Sequence, residues 1–286
     1  MCGIAGYFNK QNSNQEDINF VIDKMNKLQS HRGPDSSGKF INKEKNFGLK
    51  MCRLSILDLE LGLQPMHSID ERFVIIFNGT ILNSPDLRKK LEKLNIKFLT
   101  KNSDTEVLLN MMIRYGIDGL KELNGSFAFA LYDKKNKKLI CARDRFGLSP
   151  FYYLQKNNKF LFASELKSIL FTGFSSKEID KQNLYHYLSL LWSPGPNTII
   201  KDIKKLQPGH YLEIDFNNNK LNISRWHSLN FKPDNEKNID DWSNLIHQNL
   251  ESSVIRSTLS DVPLACGLSG GLDSQSIAAI LSKHKK

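Results

Sequence analysis

With 286 residues, 40% of them hydrophobic, the chain has room for about two domains with cores of their own, and no run approaches the roughly 18 apolar residues of a membrane-spanning helix. Forty Lys and Arg against 30 Asp and Glu leave a net charge of +10, but the lysines mix with asparagines in polar turns such as Asp133-Lys134-Lys135-Asn136-Lys137-Lys138, so we expect a solvated surface with no nucleic-acid and no membrane partner. Cys2, Cys52, Cys141 and Cys266 are scattered without disulfide or metal spacing, and the first 20 residues lack a secretion signal, so the expectation is a cytoplasmic protein with reduced thiols.

The chain opens on Met1-Cys2-Gly3-Ile4-Ala5-Gly6-Tyr7. Once the initiator Met is removed, Cys2 carries a thiol and a free α-amine on one residue. The amine has an ordinary pKa of roughly 7.7 to 8.0, poised to take the thiol proton without a distant His. This predicts a nucleophile for acyl transfer. Ile18, Val21, Ile22, Met25 and Leu28 then share one helix face, which should pack on a sheet. After the Gly-Pro turn His31-Arg32-Gly33-Pro34-Asp35, residues 47–57 read as strand. Arg53 lies inside it, an Arg among apolar neighbours at a sheet edge, suited to hold a substrate carboxylate by a two-point fork.

Phe73-Val74-Ile75-Ile76-Phe77 predicts a buried strand ending at Asn78-Gly79, which is a turn signal and equally suits an oxyanion hole. Ser84-Pro85 opens a helix with Leu87, Leu91 and Leu94 on one face. Ser103-Asp104-Thr105-Glu106 opens another, with Ser103 and Glu106 as a capping box and Asp104 left for a cation such as a substrate ammonium. Strands follow over 127–132, 139–142, 151–154 and 160–163, and the alternating charges of Ala142-Arg143-Asp144-Arg145-Phe146-Gly147 predict internal ion pairs. A helix over 182–191 and a hairpin around Asn217-Asn218-Asn219 lead to a polar stretch, 232–238, where a domain boundary is expected. Beyond it lie a helix over 239–259, an apolar strand over Val262 to Cys266, the loop Leu268-Ser269-Gly270-Gly271-Leu272-Asp273-Ser274 and a helix through Ile277 and Leu281. Strand, Gly-rich loop and helix cup phosphate, although no Walker Gly-Lys-Ser/Thr is present.

Taken in order, Cys2-Gly3-Ile4, His31 to Asp35, Arg53-Leu54-Ser55-Ile56, Asn78-Gly79, Ser103 to Glu106, Ala142 to Gly147, Phe162-Ala163-Ser164-Glu165, Pro208-Gly209-His210 and Ser269 to Ser274 resemble glutamine-hydrolysing asparagine synthetase over essentially the whole chain. The resemblance implies an α+β fold. Residues 2–215 would be a class II glutamine amidotransferase domain, the four-layer αββα sandwich of the N-terminal-nucleophile hydrolases. Residues 216–238 would be a linker, and 239–286 the start of an α/β ATP-pyrophosphatase domain. By the same resemblance, Cys2 attacks the glutamine amide and Asn78 and Gly79 stabilise the oxyanion. Arg53 holds the substrate carboxylate, and Asp104 with position 80 lies at its ammonium. ATP with Mg2+ would sit on Leu268, Ser269, Gly270, Gly271, Asp273 and Ser274, with Asp273 the metal ligand and aspartate the acceptor; the glutaminase half-reaction needs no cofactor. Homo-oligomers occur among the relatives, so a homodimer is open.

The chain departs from the family at Thr80, where the pattern has Glu, which predicts weaker glutamine binding. Ser149 stands for a Lys and Met51-Cys52 for a His-Arg type pair. Lys286 follows the phosphate loop by one helix, so we expect that this chain makes no asparagine unaided; a split gene product, a truncated reading frame and one half of a two-chain enzyme, with a second chain supplying the rest, are the open explanations. An amidotransferase for another acceptor, such as a sugar acid in surface-polysaccharide synthesis, and a non-enzymatic remnant are the alternatives.

Overall fold

A computed structural model describes residues 1–11 and 15–284. Its strands are β1 (Gly3–Asn9), β2 (Ser36–Ile41), β3 (Phe47–Arg53), β4 (Met66–His67), β5 (Phe73–Ile81), β6 (Gly125–Asp133), β7 (Lys138–Arg143), β8 (Tyr152–Lys156), β9 (Lys159–Ala163), β10 (Lys204–Lys205), β11 (His210–Asp215) and β12 (Lys220–Arg225). The helices are α1 (Gln15–Leu28), α2 (Ser84–Glu92), α3 (Asp104–Tyr115), α4 (Leu166–Leu170), α5 (Lys181–Leu190), α6 (Ile239–Arg256) and α7 (Leu272–His284).

Two antiparallel six-stranded sheets run β10-β8-β9-β1-β3-β2 and β12-β11-β7-β6-β5-β4. Successive side chains on a strand point to opposite faces, and here both faces are buried. On β1, Ile4 and Phe8 meet Phe47, Met51, Val74 and Ile76 between the sheets. Ala5 and Tyr7, on the other face, meet Ile18, Ile22 and Met25 of α1. On β5, Val74 and Ile76 point inward, and Ile75 and Phe77 pack with Leu87 of α2 and Leu108 and Met111 of α3. That two-sided burial is why Phe73 to Phe77 reads as an unbroken apolar run, and the result is the expected helix–sheet–sheet–helix sandwich.

Several expectations are corrected. Strand β3 ends at Arg53, and 54–57 are loop. Leu94 lies past the end of α2 and is 45% exposed. The capping box at Ser103 is absent: the Ser103 side chain makes no cap bond, and the Glu106 carboxylate accepts from the N–H groups of Leu99 (2.7 Å) and Thr100 (2.8 Å). The N–H groups of Lys101 and Asn102 donate to Asp58, a residue of another loop, so the entry to α3 is satisfied from outside the helix. The Ala142 to Gly147 motif serves backbone groups rather than ion pairs. Buried Asp144 accepts from the N–H groups of Phe127, Phe146, Leu148 and Ser149, and Arg143 donates to the carbonyls of Ser149 and Leu206.

The linker expected from residue 216 starts later. Phe216 stacks on Phe8 at 3.8 Å inside the inter-sheet core, β12 pairs with β11, and Trp226 is buried against Phe127. The strand expected over Val262 to Cys266 is not formed. Pro263 lacks the N–H a ladder needs, and no described strand lies alongside to pair with it. Two of the residues that depart from the family pattern are absorbed into the fold: Met51 is in the inter-sheet core and the Cys52 thiol donates to the Gln29 carbonyl at 3.1 Å.

Candidate active site

Antiparallel pairing of β1 with β3 sets Gly3 opposite Cys52, and so carries Cys2 and Arg53 to the same end of the first sheet. Strand β5, in the second sheet, brings Asn78, Gly79 and Thr80 to that end, and α3 starts there with Asp104. Cys2, Arg53, Asn78, Gly79, Thr80 and Asp104 line one cavity of about 90 Å³. The residues singled out in the first half of the sequence are thus brought together. The turn reading of Asn78-Gly79 is corrected: β5 runs straight through both, with Gly79 opposite Phe127. A Cβ at position 79 would sit 2.0 Å from the Ser126 carbonyl oxygen, so only glycine fits this approach of the two strands.

Cys2 is braced by residues the sequence reading left without a role. The Arg32 Nε donates to the Cys2 carbonyl at 2.9 Å, and its Nη1 lies 3.5 Å from Glu165, which also pairs with His31 at 2.7 Å. Ser164 Oγ accepts from the Ile4 N–H (3.0 Å), and Asp35 accepts from the Ser55 N–H (2.8 Å), tying the loop beside Cys2 to the His31 to Asp35 turn. The charges of those two segments were visible in sequence; their pairing across some 130 residues was not. Leu54 presents its N–H to the Cys2 sulfur at 3.4 Å. Burial pushes the Cys2 thiol up, opposed by hydrogen bonding with Leu54, by the chain's terminal ammonium and by the Arg53 charge.

Asn78 is fully buried, and neither its amide nitrogen nor its amide oxygen has a partner among the described residues. An unpaired buried amide costs about 1–3 kcal/mol, and Asn78 is among the residues that line the cavity with Cys2. Asp104 is 6% exposed, and its Oδ2 accepts from the Ile81 N–H at 3.0 Å. Burial pushes its carboxyl up to about 6, against hydrogen bonds from Ile81 and Thr105 and the charge of Arg53.

Arg53 differs from expectation in two ways. Strand β3 lies between β1 and β2, so the residue is at the end of an interior strand, not at a sheet edge. Its Nη2 donates to the carbonyls of Leu57 (2.8 Å) and Asp58 (2.9 Å), and its Nη1 to that of Leu59 (3.2 Å). Three of the five N–H groups are therefore engaged, and the two left, on Nε and Nη1, do not form a parallel pair. The two-point fork is closed, and single bonds remain. Gln64 was missed by the sequence reading. It lines the cavity, accepts from the Phe77 N–H at 2.7 Å and donates to the Thr105 hydroxyl at 3.1 Å. A lone Gln in a loop carries no signal of that kind.

The second set of predicted residues lies elsewhere in the fold. Residues 268–271 form an exposed loop and Leu272 to Ser274 the first turn of α7, with Gly270 at φ +86° and open space around it. The Ser274 hydroxyl donates to the Gly271 carbonyl (3.0 Å), and the Ser269 N–H points at that hydroxyl (3.2 Å). A glycine turn with an exposed Ser269 and a half-buried Ser274 at a helix start fits a phosphate. Asp273 is one exposed carboxylate, and no group of three metal-ligating side chains occurs among the described residues. It fits Mg2+ only together with phosphate oxygens, the usual way that ion is held.

A helix–sheet–sheet–helix sandwich with a cysteine at the head of a central strand is the architecture of the N-terminal-nucleophile hydrolases. The chain belongs to the glutamine amidotransferase domain family, whose model matches residues 1–227; the asparagine synthase family model matches residues 245–286. It is 39% identical to asparagine synthetase (glutamine-hydrolyzing) 1 of Bacillus subtilis strain 168, over 98% of this chain and 44% of that protein. It is 38% identical to asparagine synthetase (glutamine-hydrolyzing) 3 of the same organism, over 99% of this chain and 46% of that protein. The chain thus spans less than half the length of these curated relatives. The solved glutamine phosphoribosylpyrophosphate amidotransferase of B. subtilis superposes with a TM-score of 0.58 at 17% identity, covering 99% of this chain and 64% of that one, a likeness of fold. No helix among the described residues is long and apolar enough to cross a membrane.

Proposed function

We propose that residues 1–226 hydrolyse glutamine to glutamate and ammonia. We further propose that the chain works as part of a glutamine-dependent asparagine synthetase, in which the ammonia aminates an ATP-activated aspartate. The observation that carries the reading is the meeting of Cys2, the unpartnered Asn78 amide and the Asp104 carboxylate in one cavity. Removal of Met1 frees the Cys2 amine, which takes the thiol proton as the sulfur attacks the side-chain carbonyl of glutamine. The Asn78 amide and the Gly79 N–H donate to the oxyanion that forms. The amine returns the proton to the departing nitrogen, ammonia leaves, and water releases glutamate from the thioester. Asp104, ionised at pH 7, pairs with the substrate ammonium, and the two free N–H groups of Arg53 bind its carboxylate.

Every residue in this sequence of steps comes from one chain, so glutamine hydrolysis calls for neither a second subunit nor a second copy. In the C-terminal segment, Leu268, Ser269, Gly270, Gly271 and Ser274 would hold ATP by its phosphates and Asp273 its Mg2+; when bound, the nucleotide supplies activation of the acceptor carboxyl. Glutamate release from glutamine by the purified chain tests the reading, and its absence in a protein shown to have lost Met1 overturns it.

Two further results are expected. Asn78→Ala should lower kcat roughly 10²- to 10³-fold with little change in KM, because the amide is asked to act only as charge develops on the oxygen; an equal loss in KM would place Asn78 in ground-state binding. Thr80→Glu should lower KM for glutamine, since Thr80 lines the cavity beside Asp104 and a second carboxylate there would share the substrate ammonium. An unchanged KM would refute the assignment of position 80 to the substrate amine.

A further inference from the structure

Among the described residues, every hydrogen bond between 239–284 and the sandwich is made by one residue, Asp261. Its N–H donates to the Ile56 carbonyl at 2.9 Å. Its carboxylate accepts from the Asp58 N–H at 2.7 Å and from the Asn102 amide, at 2.9 Å to each oxygen. The two segments it joins are the two that orient the substrate. Residues 57–59 give the three carbonyls that hold the Arg53 guanidinium, and residues 101–103 lead directly into Asp104. Asp58 already ties these segments to each other, since its carboxylate accepts from the N–H groups of Lys101 and Asn102 and, through its other oxygen, from Leu61 at 3.1 Å. Asp261 closes the arrangement from outside.

We propose that Asp261 is a positioning residue for glutamine binding: from the C-terminal segment it clamps loop 56–62 to the entry of α3, and so holds Arg53 and Asp104 at the spacing of the two charges of the substrate. This rests on the glutaminase reading above. Cys2, Asn78 and Gly79 are fixed by β1, β5 and Arg32, and Leu54 at the Cys2 sulfur is held next door by the Ser55 N–H on Asp35; Asp261 touches none of these, so releasing the clamp costs affinity and spares the chemical step. Movement of the C-terminal segment is then read at the glutamine site as a change in KM.

The test uses the full chain. Asp261→Ala should raise KM for glutamine roughly threefold to tenfold, the worth of one or two such hydrogen bonds, with kcat within about twofold of wild type. In the exchange pair Asn102→Asp with Asp261→Asn, the amide introduced at position 261 can donate to the carboxylate introduced at position 102, while the oxygen of that amide accepts from the Asp58 N–H. KM should return to within about twofold of wild type. Amide hydrogen exchange at Asp58, Lys101 and Asn102 should speed up in Asp261→Ala, and exchange at the same three positions should slow again in the exchange pair. A wild-type KM in Asp261→Ala, or kcat falling with it, overturns the proposal. If the wild type releases no glutamate, the glutaminase reading falls; unaltered exchange at those three amides would then overturn the clamp itself.

Discussion

Cys2→Ala is expected to remove glutamate release altogether, a loss of at least roughly 10⁴-fold, while the protein stays folded. Removing a covalent nucleophile leaves only the acceleration that binding and the oxyanion site supply. The structural cost is small. Cys2 packs only partly buried against the inter-sheet core, and among the described residues its sulfur engages only Leu54, so truncation should cost about 1 kcal/mol. Assay of glutamate release, with intact-mass detection of an adduct from a glutamine-analogue electrophile, checks both halves. Wild type should show one adduct on a chain lacking Met1, and Cys2→Ala none. Activity surviving above a few per cent, or labelling at buried Cys52 instead, would remove Cys2 from the chemistry.

Asp104→Asn should damage function and stabilise the fold at once. Losing the proposed negative partner of the substrate ammonium is expected to raise KM for glutamine roughly 10²-fold. The charge it removes is costly to the protein: burial raises the Asp104 carboxyl from 3.8 to about 6. A raised carboxyl favours the protonated form in the folded state, so its contribution to stability is fully present below pH 3.8 and is lost as pH rises through about 6. Above that, the difference corresponds to about 3 kcal/mol at most. Asn keeps an acceptor for the Ile81 N–H and carries no charge. Asp104→Asn should thus melt above wild type at pH 7.5, and the gap should close near pH 4. In wild type, KM for glutamine should climb as pH falls below about 6, where free Asp104 takes a proton, while kcat, set with the ammonium bound, should not follow that titration. A variant less stable than wild type at pH 7.5, or a KM flat from pH 7.5 to 5, would contradict this account of Asp104.

Thr80 and Gln64 mark the limit of reading a site from residue types. Thr80 stands out only against a family pattern, and Gln64 only once β5 has brought Phe77 to it. Arg53 shows the same limit from the other side. Its presence in the site was legible, but three carbonyls from the loop that follows β3 take most of its donors, and no spacing rule foretells where a loop turns its carbonyls. Capping at Ser103 failed because Asp58, some 45 residues earlier, reached that loop first. The strand at Val262 failed because a strand requires a neighbour, which no local pattern supplies.

What the sequence determined by itself is which atoms the proposed chemistry draws on: a sulfur and an amine on Cys2, an amide on Asn78, a carboxylate on Asp104, and the two-sided apolar strands that bury a sandwich around them. Those follow from residue identity and from periods of 2 and 3.6, properties of short stretches. Which of these polar groups remain unpaired, and so are free for a ligand, was decided by the tertiary structure alone. A hydrogen bond is taken by whichever partner lies within about 3 Å, and here those partners come from segments as far apart as Cys2 and Arg32, Arg32 and Glu165, or Asp58 and Asp261.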